Sequence, residues 1–209
     1  MRTRILMTIT TGLLFFTVMP FALQAQEREL QLDINYGIGI PSSSFKTDAI
    51  DKTSFRGWTA NAMYNISNNI SIGLGVGYQD FYQKYPRGIY KTSEGGEISA
   101  VISNSIQTLP VLAQVQYRFM PGSMVQPYIG VGAGANFVTF DQYLGEFGSS
   151  TSDIKFAVRP QVGLFVPFRK DGPAGIHLYG NYNYLPYKMN GVDNLSNWGA
   201  GIGVKFPIR

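Results

Sequence analysis

The chain has 209 residues, of which 14% are charged and 14% aromatic, and its formal net charge is +4 at pH 7. It has no cysteine and a single histidine, which excludes a disulfide framework, a thiolate nucleophile, a lipoprotein acylation site, and zinc ribbons and His-rich metal sites. The positive charge is too small for a nucleic-acid footprint, so no nucleic-acid partner is predicted.

The first segment, residues 1–25, is predicted to be a cleaved signal peptide. A basic start with Arg2 and Arg4 precedes an apolar run, and the small residue Ala25 stands at a plausible cleavage point. A permanent anchor helix needs about 20 apolar residues, and threonines and a proline interrupt this run. Cleavage leaves one domain, residues 26–209.

The mature chain alternates apolar and small or polar residues with a period of two, which is the signature of strands. Glycine recurs at every second position of the most hydrophobic stretches, such as 70–78, and costs about 1 kcal/mol per helix position. Eight strands are predicted, near 30–40, 55–66, 70–83, 103–119, 125–140, 153–168, 176–187 and 195–208.

Connections between these segments alternate in length. Short turns are predicted at 67–69, 120–124 and 169–175, and longer polar connections at 41–54, 84–102, 141–152 and 188–194. This alternation is typical of an up-and-down membrane barrel with its long loops outside. The predicted fold is therefore all-β, an eight-stranded antiparallel up-and-down transmembrane β-barrel with both termini on the periplasmic side.

The two faces of the predicted strands differ in chemistry. Away from the strand ends, one face carries no charged residue, as expected where a Lys or Arg at the bilayer midplane costs about 2–4 kcal/mol. Aromatic residues on this face, among them Trp58, Tyr78, Phe119 and Phe206, fall near the strand ends, as in the girdles of membrane barrels. The other face holds amides, glycines and a few charges, which fits a lumen just wide enough for side chains to fill.

Four prolines lie inside predicted strands, where each removes a donor from the ladder. Bulges or local strand ends are therefore expected near Pro110, Pro127, Pro160 and Pro167. The strand limits there are left open.

Two stretches carry a family resemblance. The first stretch is Leu109 to Ala113 with Tyr117 to Phe119 following, and the second is Gln126 to Gly134. They resemble the outer membrane protein beta-barrel domain family, small barrels similar to the OmpA transmembrane domain, OmpX and OmpW. The resemblance covers 27–209. It implies the bacterial cell outer membrane as location, with outer-membrane lipid and the outer-membrane insertion machinery as partners, and it says little about activity.

Five polar side chains are predicted to share the lumen: Asp33, Arg118, Arg159, His177 and Lys205. One interpretation is ion selectivity or gating. The favoured one is a structural network that satisfies its own charges and plugs the barrel, because unpaired charges are costly there.

No catalytic, cofactor-binding or metal-binding residue is predicted, and the protein is predicted not to be an enzyme. A barrel hydrolase, such as a lipid A deacylase, needs a His with a nearby Ser nucleophile and an orienting acid. His177 has no such Ser two residues away, and the strand pattern turns its ring inward. The glycine-rich stretches lack the G-x-G-x-x-G spacing of a dinucleotide site.

The longest connection is the candidate interaction loop, since loops carry function on a rigid scaffold. Its charged residues are Lys84, Arg87, Lys91, Glu94 and Glu97. The predicted function is a non-enzymatic integral outer-membrane barrel with a packed polar lumen, acting in envelope structure or in surface interaction and adhesion with an extracellular ligand of unknown identity. The alternative is a narrow OmpW-like channel or binder for a small apolar molecule, for which inward-facing Leu112, Val138 and Phe165 give slight support.

Overall fold

The structure is a computed structural model and describes residues 29–42, 45–91, 97–145, 147–170, 172–189 and 192–208. The predicted signal peptide, 1–25, lies outside the described residues. The strands are β1 (Leu30–Pro41), β2 (Ser54–Asn65), β3 (Ile70–Lys84), β4 (Gly88–Lys91), β5 (Glu97–Ala100), β6 (Ile102–Arg118), β7 (Gln126–Leu144), β8 (Phe147–Pro167), β9 (Gly175–Asn183), β10 (Pro186–Met189), β11 (Val192–Asn194) and β12 (Asn197–Ile208). A π-helical turn spans Phe45–Ala49.

Eight strands close an antiparallel barrel in the order β1-β12-β9-β8-β7-β6-β3-β2. The pairs β4-β5 and β10-β11 form small hairpins in two of the connections. The predicted eight-stranded barrel is thereby confirmed. Among the described residues, no helix has both the length and the apolar character that a membrane crossing requires.

The pairing register fixes the slope of the strands. Starting at Val166 and following paired residues once around the wall leads back to β8 at Phe156, ten residues away. The circuit runs Val166, Ile176, Val204, Ile34, Ala60, Val76, Val111, Ala135 and Phe156. A stagger of this size around eight strands corresponds to a tilt of about 40°.

Side chains alternate between an outer and an inner face as predicted. In β1, Asp33 and Asn35 are buried, whereas Ile34 is 48% and Tyr36 52% exposed. The exposed positions in the middle of the barrel strands are apolar in the same way, including Leu74 at 65%. An apolar outer surface of this kind is stable against acyl chains rather than water.

Outward aromatic side chains form two belts. The upper belt, near the long connections, contains Trp58, Tyr78, Phe137, Phe156, Tyr184 and Trp198, and the lower belt contains Tyr64, Tyr117, Phe119, Phe168 and Phe206. Phe156 and Phe168 are twelve residues apart, or roughly 30 Å of height at about 3.3 Å per residue and this tilt. The apolar band of an outer-membrane barrel is about 25 Å tall and lies between such girdles.

The prolines cause no register shift. Pro127 is the second residue of β7 and Pro167 the last of β8, so both lie at strand ends as expected. Pro110 lies in a gap of the β3–β6 ladder, which stops at Val76–Val111 and resumes in the same register at Gln79–Thr108. The β8–β9 ladder begins one residue after Pro160. At Pro110 and Pro160 the ladder of hydrogen bonds is interrupted where the proline lacks an N–H, and the register continues unchanged. The β-bulges that were the alternative expectation do not form at these prolines.

The barrel wall is uneven in height. The predicted connection 141–152 is mostly strand, because β7 and β8 continue upward as a hairpin to Leu144 and Phe147. Strands β3 and β6 also extend, to Lys84 and from Ile102, whereas β9 ends at Asn183, before its predicted end at 187. Four neighbouring strands, β3, β6, β7 and β8, therefore stand above the upper belt as a sheet, called here the protruding wall.

Two long connections fold against the inner side of the protruding wall. The connection after β1 contributes Phe45 and Ile50, and the one after β9 contributes Leu185 and Leu195. They belong to one buried apolar cluster, the cap, which contains Phe45, Ala49, Ile50, Phe81, Ile106, Leu112, Val138, Phe140, Ala157, Leu185, Tyr187 and Leu195. The cap closes the upper end of the lumen.

Candidate functional site: the polar lumen and the protruding wall

Asp33 is the centre of the lower lumen. Its carboxylate is fully buried and accepts hydrogen bonds at Oδ1 from Asn35 Nδ2 (2.8 Å) and from Asn61 Nδ2. Its Oδ2 lies 3.8 Å from Nζ of Lys205, the residue paired with it across β1 and β12, which is 3% exposed. A buried charge needs both a counter-ion and hydrogen bonds, and Asp33 has both.

His177 extends this network. Asn35 uses its amide nitrogen to donate to Asp33 and Thr59, so its Oδ1 is the acceptor for His177 Nδ1 at 3.0 Å. His177 therefore carries its proton on Nδ1, and its buried Nε2 has no partner among the described residues. The imidazole stacks on Tyr128 at 5.1 Å between ring centroids. No hydroxyl nucleophile is hydrogen-bonded to it in the described part of the chain.

Arg118 joins the cluster through an aromatic ring. Phe165 lies between two cations, with Arg118 at 5.7 Å and Lys205 at 5.5 Å from its ring centroid. Cation–π contacts of this kind stabilise by about 0.5–2 kcal/mol each, more when desolvated. The structure thus brings together four of the five predicted lumen residues.

Arg159 stands apart from that cluster. It lies opposite Gly132, higher in the barrel, and its Nε donates to Asn183 Oδ1 at 2.5 Å. Asn183 in turn donates to Asn197 Oδ1 at 2.7 Å. The five predicted residues are therefore two sets at different heights, one around Asp33 and one around Arg159.

A cavity of about 30 Å³ lies beside Arg159. Its lining is mostly polar and includes Gln79, Asn136, Tyr179 and Asn181. Ligand pockets usually measure about 300–1,000 Å³ and are mainly apolar. This cavity is too small and too polar for a small apolar molecule. Leu112 and Val138, which gave that alternative slight support, are packed into the cap, and Phe165 lies between Arg118 and Lys205.

The candidate interaction loop is largely a hairpin. Lys84 is the exposed last residue of β3 and Arg87 is exposed just before β4. Lys91 and Glu97 are paired in the backbone of β4 and β5, while Glu94 lies outside the described residues. The hairpin presents the loop above the protruding wall.

The upper part of β8 is a free sheet edge that the sequence did not indicate. Val158 exchanges backbone hydrogen bonds with Tyr184 (3.1 and 2.8 Å), so its N–H and C=O groups point away from β7. The backbone N–H and C=O groups of every second residue above Val158 point to the same side. Those residues are Ser150, Ser152, Ile154 and Phe156, which pair with β7 on the other side but have no strand partner on the β9 side in the described part of the chain. An edge of this kind can accept an extended peptide as an additional strand.

One amide of this edge is already occupied. The N–H of Ile154 donates to Asp153 Oδ1 at 2.7 Å, and Asp153 Oδ2 lies 2.6 Å from Lys155 Nζ. The hydrogen bond from Lys155, and then that from the Ile154 N–H, lowers the pKa of Asp153 below its ordinary value. Among the described residues, no group of three His, Asp or Glu side chains is arranged to hold a metal ion.

Comparison with known proteins finds outer-membrane β-barrels both by family model and by structure. The family model for the outer membrane protein beta-barrel domain matches residues 8–206. No curated protein matches the sequence. Neisserial surface protein A is 17% identical, with 86% of this chain and 96% of that chain covered and a TM-score of 0.56. The outer membrane protein OprG from Pseudomonas aeruginosa is 16% identical, with 87% and 96% covered and a TM-score of 0.51.

The outer membrane protease OmpT from Escherichia coli also matches, at 10% identity, with 92% of this chain and 99% of that chain covered and a TM-score of 0.45. At such low identities, likeness to solved structures reveals the fold and not the activity.

Proposed function

Because this chain belongs to the outer membrane protein beta-barrel domain family, we propose that it is a non-enzymatic integral barrel that interacts with extracellular partners through its protruding wall and contributes to envelope structure. The protein resides in the bacterial outer membrane. Outer-membrane lipid covers its apolar face, and the outer-membrane insertion machinery assembles it. The extracellular ligand belongs to this proposal as well.

The free edge of β8 is the observation that carries the proposal. Most barrel strands satisfy their backbone groups on both sides, but Ser150, Ser152 and Phe156 direct N–H and C=O groups outward with no described partner. Exposed edges of this length promote unwanted association, so natural proteins usually shorten or cover them. Among the described residues, β10 packs beside this part of β8, with the Tyr187 ring centroid 5.8 Å from Lys155 Nζ, but no strand is hydrogen-bonded to the edge above Val158. An unpaired edge above the membrane is suited to pairing with an extended segment of another protein.

The closed lumen favours an interaction protein over a channel. The cap fills the upper end, the network around Asp33 fills the lower part, and the cavity between them holds about 30 Å³. A steady aqueous path through this arrangement would require the cap to leave its place on the protruding wall. The same packing leaves no room for an apolar ligand of ordinary size.

The absence of enzymatic activity is inferred from His177. A general base needs a substrate or nucleophile within hydrogen-bond reach, but His177 is 1% exposed and stacked on Tyr128. Its Nδ1 is oriented by an amide, Asn35, rather than by a carboxylate. Neither feature fits a Ser–His–acid arrangement.

Adhesion of bacteria expressing the protein tests this function. We expect them to bind epithelial cells, extracellular matrix or each other above a non-expressing strain, and Ser152→Pro to reduce that binding about tenfold. Proline removes an N–H that points to the free edge, and edge positions tolerate it. Ser152→Ala is the matched control: it also loses the 3.1 Å contact with Thr139 Oγ1 but keeps the N–H.

Purified protein in planar lipid bilayers gives the second measurement. We expect no stable conductance steps from the wild type. Steady conductance, or equal adhesion of the expressing and non-expressing strains, would overturn the proposal.

A further inference from the structure

The central cavity contains a cation without a counter-ion. Arg159 lies on the lumen face of β8 and shares the cavity with neutral side chains, among them Asn136, Tyr179 and Asn181. Within the described ranges, no Asp or Glu forms an ion pair with Arg159. Lys205, by contrast, has Asp33 at 3.8 Å, and Lys155 has Asp153 at 2.6 Å.

The guanidinium also has donors to spare. Arginine has five N–H donors, and in the described structure Arg159 uses only the one on Nε, toward Asn183 Oδ1 at 2.5 Å. The four donors on the two Nη groups have no acceptor there. On the cavity wall, Asn136 is 4% exposed and its Oδ1, a hydrogen-bond acceptor, lacks a donor among the described residues, which a water supplies and an anion does not. Buried polar groups are almost always paired with protein, water or an ion.

The electrostatic cost of an unpaired Arg159 charge indicates that its missing partner is an anion. A charged group at membrane depth costs several kcal/mol unless it is paired, and water alone satisfies donors without neutralising charge. The cavity holds about 30 Å³, about two to three times the roughly 10–15 Å³ that one water needs. It therefore has room for a single small ion.

We propose that this cavity binds a small monovalent anion of chloride size, held by the guanidinium of Arg159. The anion supplies the counter-charge that the described lumen lacks at this height. It accepts hydrogen bonds from the Nη groups, while amide N–H groups of the cavity wall complete its shell. Bound in this way, the ion is a structural component of the folded barrel.

Thermal and urea unfolding of the full mature protein in detergent test the proposal, with sodium chloride compared against sodium gluconate at equal ionic strength. Gluconate is a much bulkier anion than chloride and serves as the comparison ion. Chloride at about a hundred times its dissociation constant is expected to shift the unfolding equilibrium about a hundredfold toward the folded barrel. Crystals grown with bromide are expected to show an anomalous peak beside Arg159.

Variants locate the effect. Arg159→Gln is expected to lose the chloride response, and Asn183→Asp to lose it too, because a carboxylate then replaces the amide that accepts the Nε–H. Arg118→Gln is the matched control, a lumen cation in the lower cluster, and is expected to keep the full response. If Arg159→Gln does not fold, Asn183→Asp decides. Equal stability of the wild type in the two salts, a wild-type response in Asn183→Asp, or no bromide at Arg159 would overturn the proposal.

Discussion

Replacing Asp33 by asparagine tests how the lower lumen is stabilised. The substitution keeps the shape of the side chain but removes the charge opposite Lys205, which is 3% exposed. At 3.8 Å, the lost attraction is about 4 kcal/mol for an effective dielectric constant of about 20. The new amide nitrogen must also face either the Lys205 ammonium or the donors of Asn35 and Asn61.

The expected loss of unfolding free energy is about 3–5 kcal/mol, the usual effect of removing one partner from a buried ion pair. For a domain of this size, about 2–4 °C of melting temperature corresponds to each kcal/mol, so Tm should fall by roughly 6–20 °C. Urea titration in lipid vesicles measures the change. The two tryptophans, Trp58 and Trp198, report on it because both are exposed on the outer face of the upper belt.

The double variant Asp33→Asn with Lys205→Met is the control. It removes both charges, and a methionine can occupy the stem of the lysine beside Phe165. We expect it to recover most of the stability that the single variant loses, because no uncompensated cation remains. A loss below about 1 kcal/mol in the single variant, or equal losses in both, would refute this account of the ion pair.

Four further outcomes are expected. Gly201→Ala should lower the urea midpoint by the equivalent of about 1–3 kcal/mol, because the added Cβ would lie 2.5 Å from the Tyr179 ring and from the Tyr36 carbonyl oxygen. Gly180→Ala is the control and should change the midpoint little, because the nearest atom to its added Cβ is 3.9 Å away. Leu74→Arg, on the lipid face, should cost about 2–4 kcal/mol in vesicles, and Ser152→Arg on the protruding wall close to nothing. The Ile154 amide should lose protection from hydrogen exchange as the pH falls through the lowered pKa of Asp153, because a protonated carboxyl is a weaker acceptor. In Asp153→Ala the protection should be absent at every pH. Arg159→Ala should lower the melting temperature in detergent without raising bilayer conductance, and an unchanged melting temperature would count against a structural role for this residue.

The barrel was predictable because each of its causes is local. Period-two alternation, glycine at inward positions and an outer face without charge are visible in one strand at a time, as in 70–78. Strand starts at 30 and 70 agree with the structure to the residue. A lipid-covered wall requires this pattern in every strand, so the signal repeats eight times along the chain.

The protruding wall was missed because its composition resembles a loop. Residues 147–153 are rich in serine and threonine and have no apolar alternation, yet they pair with β7 throughout. Above the membrane, a strand no longer needs an apolar outer face, so the hydrophobic pattern that identifies strands elsewhere stops before the strand does.

The arrangement of the lumen charges depended on register, which periodicity does not supply. Alternation assigns Asp33, Lys205 and Arg159 to one face, but the stagger of ten residues around the wall sets their heights. It places Arg159 beside Asn183 and away from Asp33. The division into a lower cluster and a separate cavity therefore required the three-dimensional pairing.

The first and last strands of the barrel meet along twelve residue pairs, and Asp33 faces Lys205 at the fourth of these pairs, counted from Leu30. Because β1 and β12 are far apart in the sequence, the hydrogen-bonded ladder between them forms only when the barrel closes. A slip of one strand by one position would turn the side chains of that strand, including its charge, toward lipid. A slip by two would set Lys205 against Gln31 or Asn35 and leave the Asp33 carboxylate without its cation. The ion pair between Asp33 and Lys205 therefore specifies the register of barrel closure: it stabilises one alignment of β1 and β12 and destabilises the neighbouring ones.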